Sequence, residues 1–397
     1  MNLKAVILAA GEGTRMRPLT QNRPKVMLPV GNKPILEHIM LAVRDAGISE
    51  FVFIVGYRSD TIMNHFGVGS RWDVHIEYAE QKKQLGTANA VKVAENLVDG
   101  RFLALNGDVL VQSMDLQSLM KEKKDVVLAV KEVDNPQEFG VIEVQGDRVT
   151  RVVEKSKSPP SNLANAGIYV FEPEVFDAID KTLLSSRGEH EITDSLQILI
   201  DDGYAVGYQV IDYWFDIGRP WDLLDANELL LKDIETDIQG TVEPYATIKE
   251  PIIVGKNTII RNGAYIVGPV AIGENCDVGP NCLIRPSTSL GDDVRIGNAV
   301  EIKNSIVMSG TNIGHLSYVG DSIIGTNCNL GAGTKVANLR LDEKNIKVMI
   351  KGELVDSKRR KLGVIMGDDV RTGINSMLNA GAVIDANSTI NPGEFVK

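Results

Sequence analysis

The sequence is poor in cysteine and histidine: 397 residues hold three Cys and five His. All three cysteines lie between Cys276 and Cys328, with no CxxC pair and no His-rich tract. That argues against a disulfide framework and a zinc site, and it points to a reducing compartment, the cytoplasm. Long apolar runs are missing too. The first stretch, "MNLKAVILAAGEGTR", stays apolar for only about seven residues before it meets Gly and charge, too short for a signal peptide or a membrane span. It reads as a buried first strand. Positive charge is in deficit, with a formal net charge of −11. A general nucleic-acid or anionic-membrane binder is therefore not expected.

What is present divides in two. The chain is too long for one hydrophobic core. Up to about residue 230, the short apolar runs "KAVILAA", "FVFIV", "FLALN" and "VVLAV" alternate with helical patterns such as "KPILEHIMLAVRDAG". That alternation predicts a mostly parallel α/β sheet, with ligands beyond the carboxyl ends of its strands. The polar stretch 231–250 reads as a linker or the tail of a helix, and a second domain is expected over 251–397.

That second domain has a period. Val254, Ile260, Ile266, Ile272, Val278, Ile284, Leu290, Ile296, Ile302 and Met308 follow one another six residues apart. The register slips by one at Ile313 and again at Ile324. It lapses over the charged segment "ANLRLDEKNIKVMIKGELVDSKRRKLGV" and returns at Met366. This is the hexapeptide repeat of a parallel β-helix, in which each hexad supplies one face and three faces make a coil. The charged segment must leave the coil as a loop or small extension. The cysteines fall at repeat positions where a small residue packs, and a structural role is expected of them.

Directly after the first strand comes "LAAGEGTRMRPLTQNRPKVMLPV". Gly11 and Gly13 permit a tight turn and leave backbone N–H groups facing a phosphate, while Arg15 and Lys25 supply cations. The P-loop pattern GxxxxGK[ST] is absent, and so is the dinucleotide pattern GxGxxG.

This segment, through Lys33 and Pro34, resembles the signature of the sugar-1-phosphate nucleotidyltransferases. The resemblance implies a Rossmann-like mixed-sheet domain over 1–230. There a sugar-1-phosphate oxygen attacks the α-phosphorus of a nucleoside triphosphate and pyrophosphate leaves. It makes Arg15 and Lys25 the catalytic cations. Nucleotide contacts are implied for Leu8, Ala9, Ala10, Gly11, Gly13, Gln81, Gly86, Thr87 and Gly107. Sugar-phosphate contacts are implied for Gly140, Glu154 and Asn165, and Mg²⁺ ligation for Asp108 and Asp216. Asn106 stands where related uridylyltransferases often carry an aromatic. Asp216 is closer to the thymidylyltransferases, so UTP and dTTP both stay open.

A coil behind such a domain does not by itself imply a second reaction. Its segment 285–344, however, resembles the acetyltransferase domain of the bifunctional N-acetylglucosamine-1-phosphate uridylyltransferases. That resemblance implies a left-handed coil, acetyl-CoA as co-substrate, and assembly as a homotrimer or a dimer of trimers. His315 would be the base that takes a proton from the glucosamine amine. Arg285, Lys303 and Lys344 would bind the sugar phosphate, Tyr318 and Asn329 would orient the sugar, and Ala332 and Asn338 would meet acetyl-CoA. The chemistry agrees, because a protonated amine needs a base titrating near neutrality. Arg285 and Lys303 are eighteen residues apart, one full coil, so they should stack on one edge. Leu339 and Ile374 depart from the family beside acetyl-CoA. The basic run Lys358-Arg359-Arg360-Lys361 is a candidate for its phosphates. The rival reading is a monofunctional transferase on a structural coil.

Overall fold

The structure is a computed structural model, and it describes residues 3–397. Compactness divides the chain into two units. One joins the N-terminal strand, up to Glu12, to Ile35–Asp216; the other joins Gly13–Pro34 to Ile217–Lys397.

The first unit is built on a nine-stranded sheet. Its order is His75–Glu80, Glu50–Val55, Lys4–Leu8, Phe102–Asn106, Leu163–Phe171, Val126–Glu132, Val206–Val210, Arg148–Val153 and Val141–Gln145. The first four strands are mutually parallel, and every expected apolar run falls on a strand. The sheet is mixed beyond them, because Leu163–Phe171 runs antiparallel to both of its main neighbours. Its side-chain alternation fails between Asn165 and Tyr169, where the register shifts. Such an irregularity re-aims side chains out of a ladder. The helical pattern after Pro34 forms a helix at Ile35–Asp45. Gly47 ends it in the left-handed region at φ 105°.

The second unit is a coil of three eight-stranded parallel sheets, the architecture of a left-handed parallel β-helix. Two- and three-residue strands stack in register, Ile252 on Val270 and Val270 on Thr288. The aliphatic of each hexad points inward, and these residues form one continuous core from Ile252 to Ile390. No single hexad could bury such a side chain, so stability comes from stacking. The coil starts earlier than the sequence suggests. Asp237–Ile238, Thr241–Val242 and Thr247–Lys249 already pair as its first rung, inside the stretch expected as a linker.

The first slip in register is relocated, and the second stands at Ile324 as expected. Val307, not Met308, joins the core and pairs beneath Leu290. The five-residue steps therefore run from Ile302 to Val307 and from Val319 to Ile324. Both fall at the corner between the third face and the first. There Lys303 pairs with Gly320, and Asn304 and Asp321 both take left-handed backbone, at φ 43° and 51°. The charged segment leaves this same corner and folds as a hairpin, Lys347–Ile350 against Glu353–Asp356. It returns at Gly363, whose N–H donates to the Asp321 carbonyl.

Candidate functional site

In the first unit three groups of the expected residues are brought together. The first surrounds Gln81, whose side-chain amide donates to the Gly86 carbonyl at 3.3 Å and to Asn89 Oδ1 at 2.9 Å. Thr87 Oγ1 accepts from the Ile192 N–H, and Gln84, which sequence reasoning did not single out, donates to the Ala10 carbonyl at 2.7 Å. Leu8 accepts from the Gly107 N–H at 2.9 Å. The end of the first strand, the segment from Gln81 to Thr87 and Gly107 are thus tied to one region.

The second group is the carboxylate pair. Val109–Val111 and Trp214–Asp216 form a small antiparallel ladder in which Asp216 lies opposite Val109. That places Asp108 and Asp216 at one end of the ladder, though more than a hundred residues separate them. Two hard oxygen donors suit Mg²⁺, which keeps water and substrate phosphates as its other ligands. No group of three or more His, Cys, Asp or Glu that could hold a metal ion exists among the described residues. The donor set therefore fits a phosphate-bound magnesium and not an all-protein metal cage.

The third group is Gly140, Glu154 and Asn165. Gly140 accepts from the Asn165 N–H at 2.8 Å. A Cβ at Gly140 would lie 2.8 Å from the Glu154 carboxylate, so the glycine lets that carboxylate approach without shifting. Arg187 donates to Glu154 at 3.1 Å and Thr193 at 3.3 Å. Burial pushes the Glu154 carboxyl above the ordinary glutamate range, against the pull of Lys155 and Arg187. Ionised Glu154 is thus a destabilising element above its folded pKa, and that cost is relieved as pH falls through it. If the carboxylate accepts from a sugar hydroxyl, the KM for sugar phosphate should rise on acidification at a pH above ordinary glutamate titration. Glu154→Gln should flatten that limb; an unchanged KM–pH profile in the variant would remove Glu154 from the sugar site.

The second unit holds the signature loop and the coil residues. Gly13 has φ 70°, and a Cβ there would lie 2.5 Å from Lys25 Cβ, so this glycine lets Lys25 pass beside the turn. Arg15 is exposed and Lys25 half-buried.

On the coil, Arg285 and Lys303 stack as their spacing predicts, since Leu283 pairs with Glu301 and Ile284 with Ile302. Tyr318 follows on the same face, opposite Glu301. Arg285 is bound to Glu301 at 3.0 Å. Asn338 donates to Tyr318 Oη at 3.2 Å. His315 is exposed at the corner between the second and third faces, and Asn329 is exposed on the second face. Ala332 follows one rung after His315, and Lys344 is exposed in the segment before the hairpin. A groove of about 390 Å³ opens beside Tyr318, lined also by Lys335, Asn338, Leu339, Met377 and Phe395.

A second residue that sequence reasoning missed is Asp321. Only 2% exposed, it binds Lys303 at 3.4 Å and accepts from Asn304 at 2.8 Å and from Asn338 at 2.5 Å. In the sequence it reads as a turn residue; the signal is the pair of five-residue steps that stacks Asn304 on it. Asp321→Ala leaves a part-buried ammonium and two amides without their shared acceptor, which should cost about 1–3 kcal/mol. The urea midpoint should fall accordingly, and a wild-type midpoint would show the corner to be solvated. The basic run needs correction as well. Arg359 is turned toward Asp225 and its side chain is only 16% exposed, so it is not available for phosphates. Cys276, Cys282 and Cys328 are buried, which pushes their thiols to about 11, 12 and 11, as suits packing residues.

Fold and site together define a sugar-nucleotide type transferase domain followed by a hexapeptide coil. Residues 4–233 match the nucleotidyl transferase family, and the chain belongs to it. Residues 266–393 match the GMPPB C-terminal domain. The "Bifunctional protein GlmU" of Methanocaldococcus jannaschii is 45% identical over 98% of this chain and 93% of its own length. The "Bifunctional sugar-1-phosphate nucleotidylyltransferase/acetyltransferase" of Sulfurisphaera tokodaii is 38% identical over 99% and 97%. A solved structure from Bacillus anthracis, described as a glucose-1-phosphate thymidylyltransferase, is similar with a TM-score of 0.54 and 30% identity. It covers 59% of this chain and 97% of its own. No helix among the described residues is long and apolar enough to cross a membrane.

Proposed function

We propose that the chain makes UDP-N-acetylglucosamine in two steps. In the coil domain the amine of glucosamine-1-phosphate attacks the thioester carbonyl of acetyl-CoA. The C–N bond forms, the C–S bond breaks, and His315 takes the proton from nitrogen and returns it to the departing sulfur, so that CoA leaves as the thiol. Arg285, Lys303 and Lys344 hold the phosphate, Tyr318 and Asn329 the sugar, and Ala332 and Asn338 the CoA. In the other domain a phosphate oxygen of N-acetylglucosamine-1-phosphate attacks the α-phosphorus of UTP and pyrophosphate leaves. Arg15 and Lys25 neutralise the phosphates, Gln81 and Thr87 read the base, and Gly140, Glu154 and Asn165 hold the sugar. Asp108 and Asp216 would hold magnesium, which when bound would supply further neutralisation of the phosphate oxygens.

The observation that carries this reading is the 45% identity to a bifunctional relative across nearly the whole of both chains. The nucleobase has a second reading, dTTP, favoured by the likeness to the thymidylyltransferase structure. We assign the enzyme to the cytoplasm, where nucleotides and acetyl-CoA are held and buried thiols stay reduced. We also propose a homotrimer through the coil, with Leu316 and Ile374, both more than half exposed, available to its interfaces. One assay separates the readings: a panel of sugar-1-phosphates against UTP and dTTP, with and without acetyl-CoA. Thiol release with glucosamine-1-phosphate, followed by pyrophosphate release with UTP, is the expected result. Pyrophosphate release without any thiol release would reduce the chain to a monofunctional transferase.

A further inference from the structure

The signature loop that carries Arg15 and Lys25 belongs to the same compact unit as the coil. Arg23, two residues before Lys25, shows how it is held. Its guanidinium donates to the Asp368 carboxylate at 2.7 Å, to Thr326 Oγ1 at 2.9 Å and toward Met308 Sδ at 3.3 Å. These three side chains come from successive rungs at the corner between the first and second faces. Asp368 is itself fixed, because its other oxygen accepts from the Thr326 N–H at 2.8 Å. The ion pair is largely out of water, with side chains 15% and 5% exposed.

Further ties flank it. Asn22 donates to Asp368 at 3.2 Å, and Asn32 donates to the Leu290 carbonyl at 2.7 Å. The Gly31 N–H donates to Asn227 Oδ1, and buried Asn227 is bonded in turn to Ser287 and Ser289 on the coil. Met308, displaced from the core by Val307, finds its contact here.

We infer that Arg23 and Asp368 are positioning residues for nucleotidyl transfer, and that the coil, beyond any acetyl chemistry of its own, sets the placement of Lys25. Catalysis by charge stabilisation depends on donors held in place before reaction, and a loop that drifts by an ångström loses about 10²-fold in rate. A charge pair shielded from water and spanning three rungs is a rigid anchor, whereas a solvated loop tether would add little. This inference rests on the uridylyl-transfer reading above.

The test uses the full chain with Asp368→Asn and, separately, Arg23→Lys. Asparagine keeps an acceptor for the Thr326 N–H while removing the charge that holds Arg23. Lysine keeps the charge but loses the fork that reaches Thr326 and Met308. Pyrophosphate release and thiol release from acetyl-CoA are measured in each. The expected result is a kcat for pyrophosphate release lowered about 10- to 100-fold in Asp368→Asn and less in Arg23→Lys, with thiol release near wild type. KM for the nucleotide should change less than kcat. Unchanged pyrophosphate release in both variants would overturn the inference. So would a parallel loss of both reactions, which marks a purely structural pair. A wild-type chain that releases no pyrophosphate with any substrate pair refutes the uridylyl-transfer reading instead, and it does so before any variant is made.

Discussion

His315→Ala should abolish thiol release from acetyl-CoA while pyrophosphate release continues at the wild-type rate. The nucleophile is a sugar amine, which near neutral pH is mostly an ammonium ion and must shed a proton to attack. Imidazole is the one side chain in the second unit whose unperturbed titration lies in that range. His315 stands in "GHLSYVGD", on a corner that the coil makes rigid by close stacking. A Cβ placed at Gly297, one rung before it, would come within 2.8 Å of the His315 backbone nitrogen. The exposed ring itself contributes nothing to the core, so its removal should leave folding intact. Loss of a general base lowers a rate by about 10²- to 10⁴-fold, enough to silence the acetyl step. Both reactions are read on one preparation, one by thiol release and the other by pyrophosphate. Acetyl transfer within about two-fold of wild type would remove His315 from the base role, since no assigned effect is that small.

The sequence disclosed the coil more fully than the site. A strict six-residue period is written in aliphatics that have nowhere to go but inward, so the faces and the stacking of Arg285 on Lys303 follow from spacing. It could not tell Val307 from Met308, because both are apolar and the period alone accepts either. Only the packed core, from which Met308 is excluded, places the five-residue step before Val307. Asp321 was hidden for a related reason. An Asp between Gly and Ser reads as a solvated turn, and its burial depends on a corner formed by other rungs. Long-range attachment was the least legible of all. Nothing near Arg23 in the sequence indicates a partner at Asp368, 345 residues away. In the first domain the mixed sheet came from the resemblance alone, because antiparallel strands covered on both faces look as uniformly apolar as parallel ones. Asp108 and Asp216 could be paired only by resemblance until the ladder set Asp216 opposite Val109.

Asp108→Asn and Asp216→Asn should each depress pyrophosphate release by about 10²–10³-fold, the usual loss when one preorganised charge-stabilising group is removed from a transfer site. The informative variant is the double. Asp108 and Asp216 sit at one end of a three-residue ladder whose register leaves them as neighbours. If both hold one ion, either substitution already removes most of what the ion supplies, and the second finds little left to lose. The double variant should then be no more than a few-fold worse than the poorer single one, as residues acting as a unit are strongly non-additive. Independent roles would instead multiply, giving a double loss near the product of the singles. Magnesium titrations sharpen the distinction, because each single variant should need more Mg²⁺ for half-maximal rate if the carboxylates are ligands. Thiol release should be unaffected throughout, since neither residue belongs to the coil. Multiplicative losses with an unshifted magnesium requirement would mean that the ladder brings the two carboxylates together for some purpose other than sharing an ion.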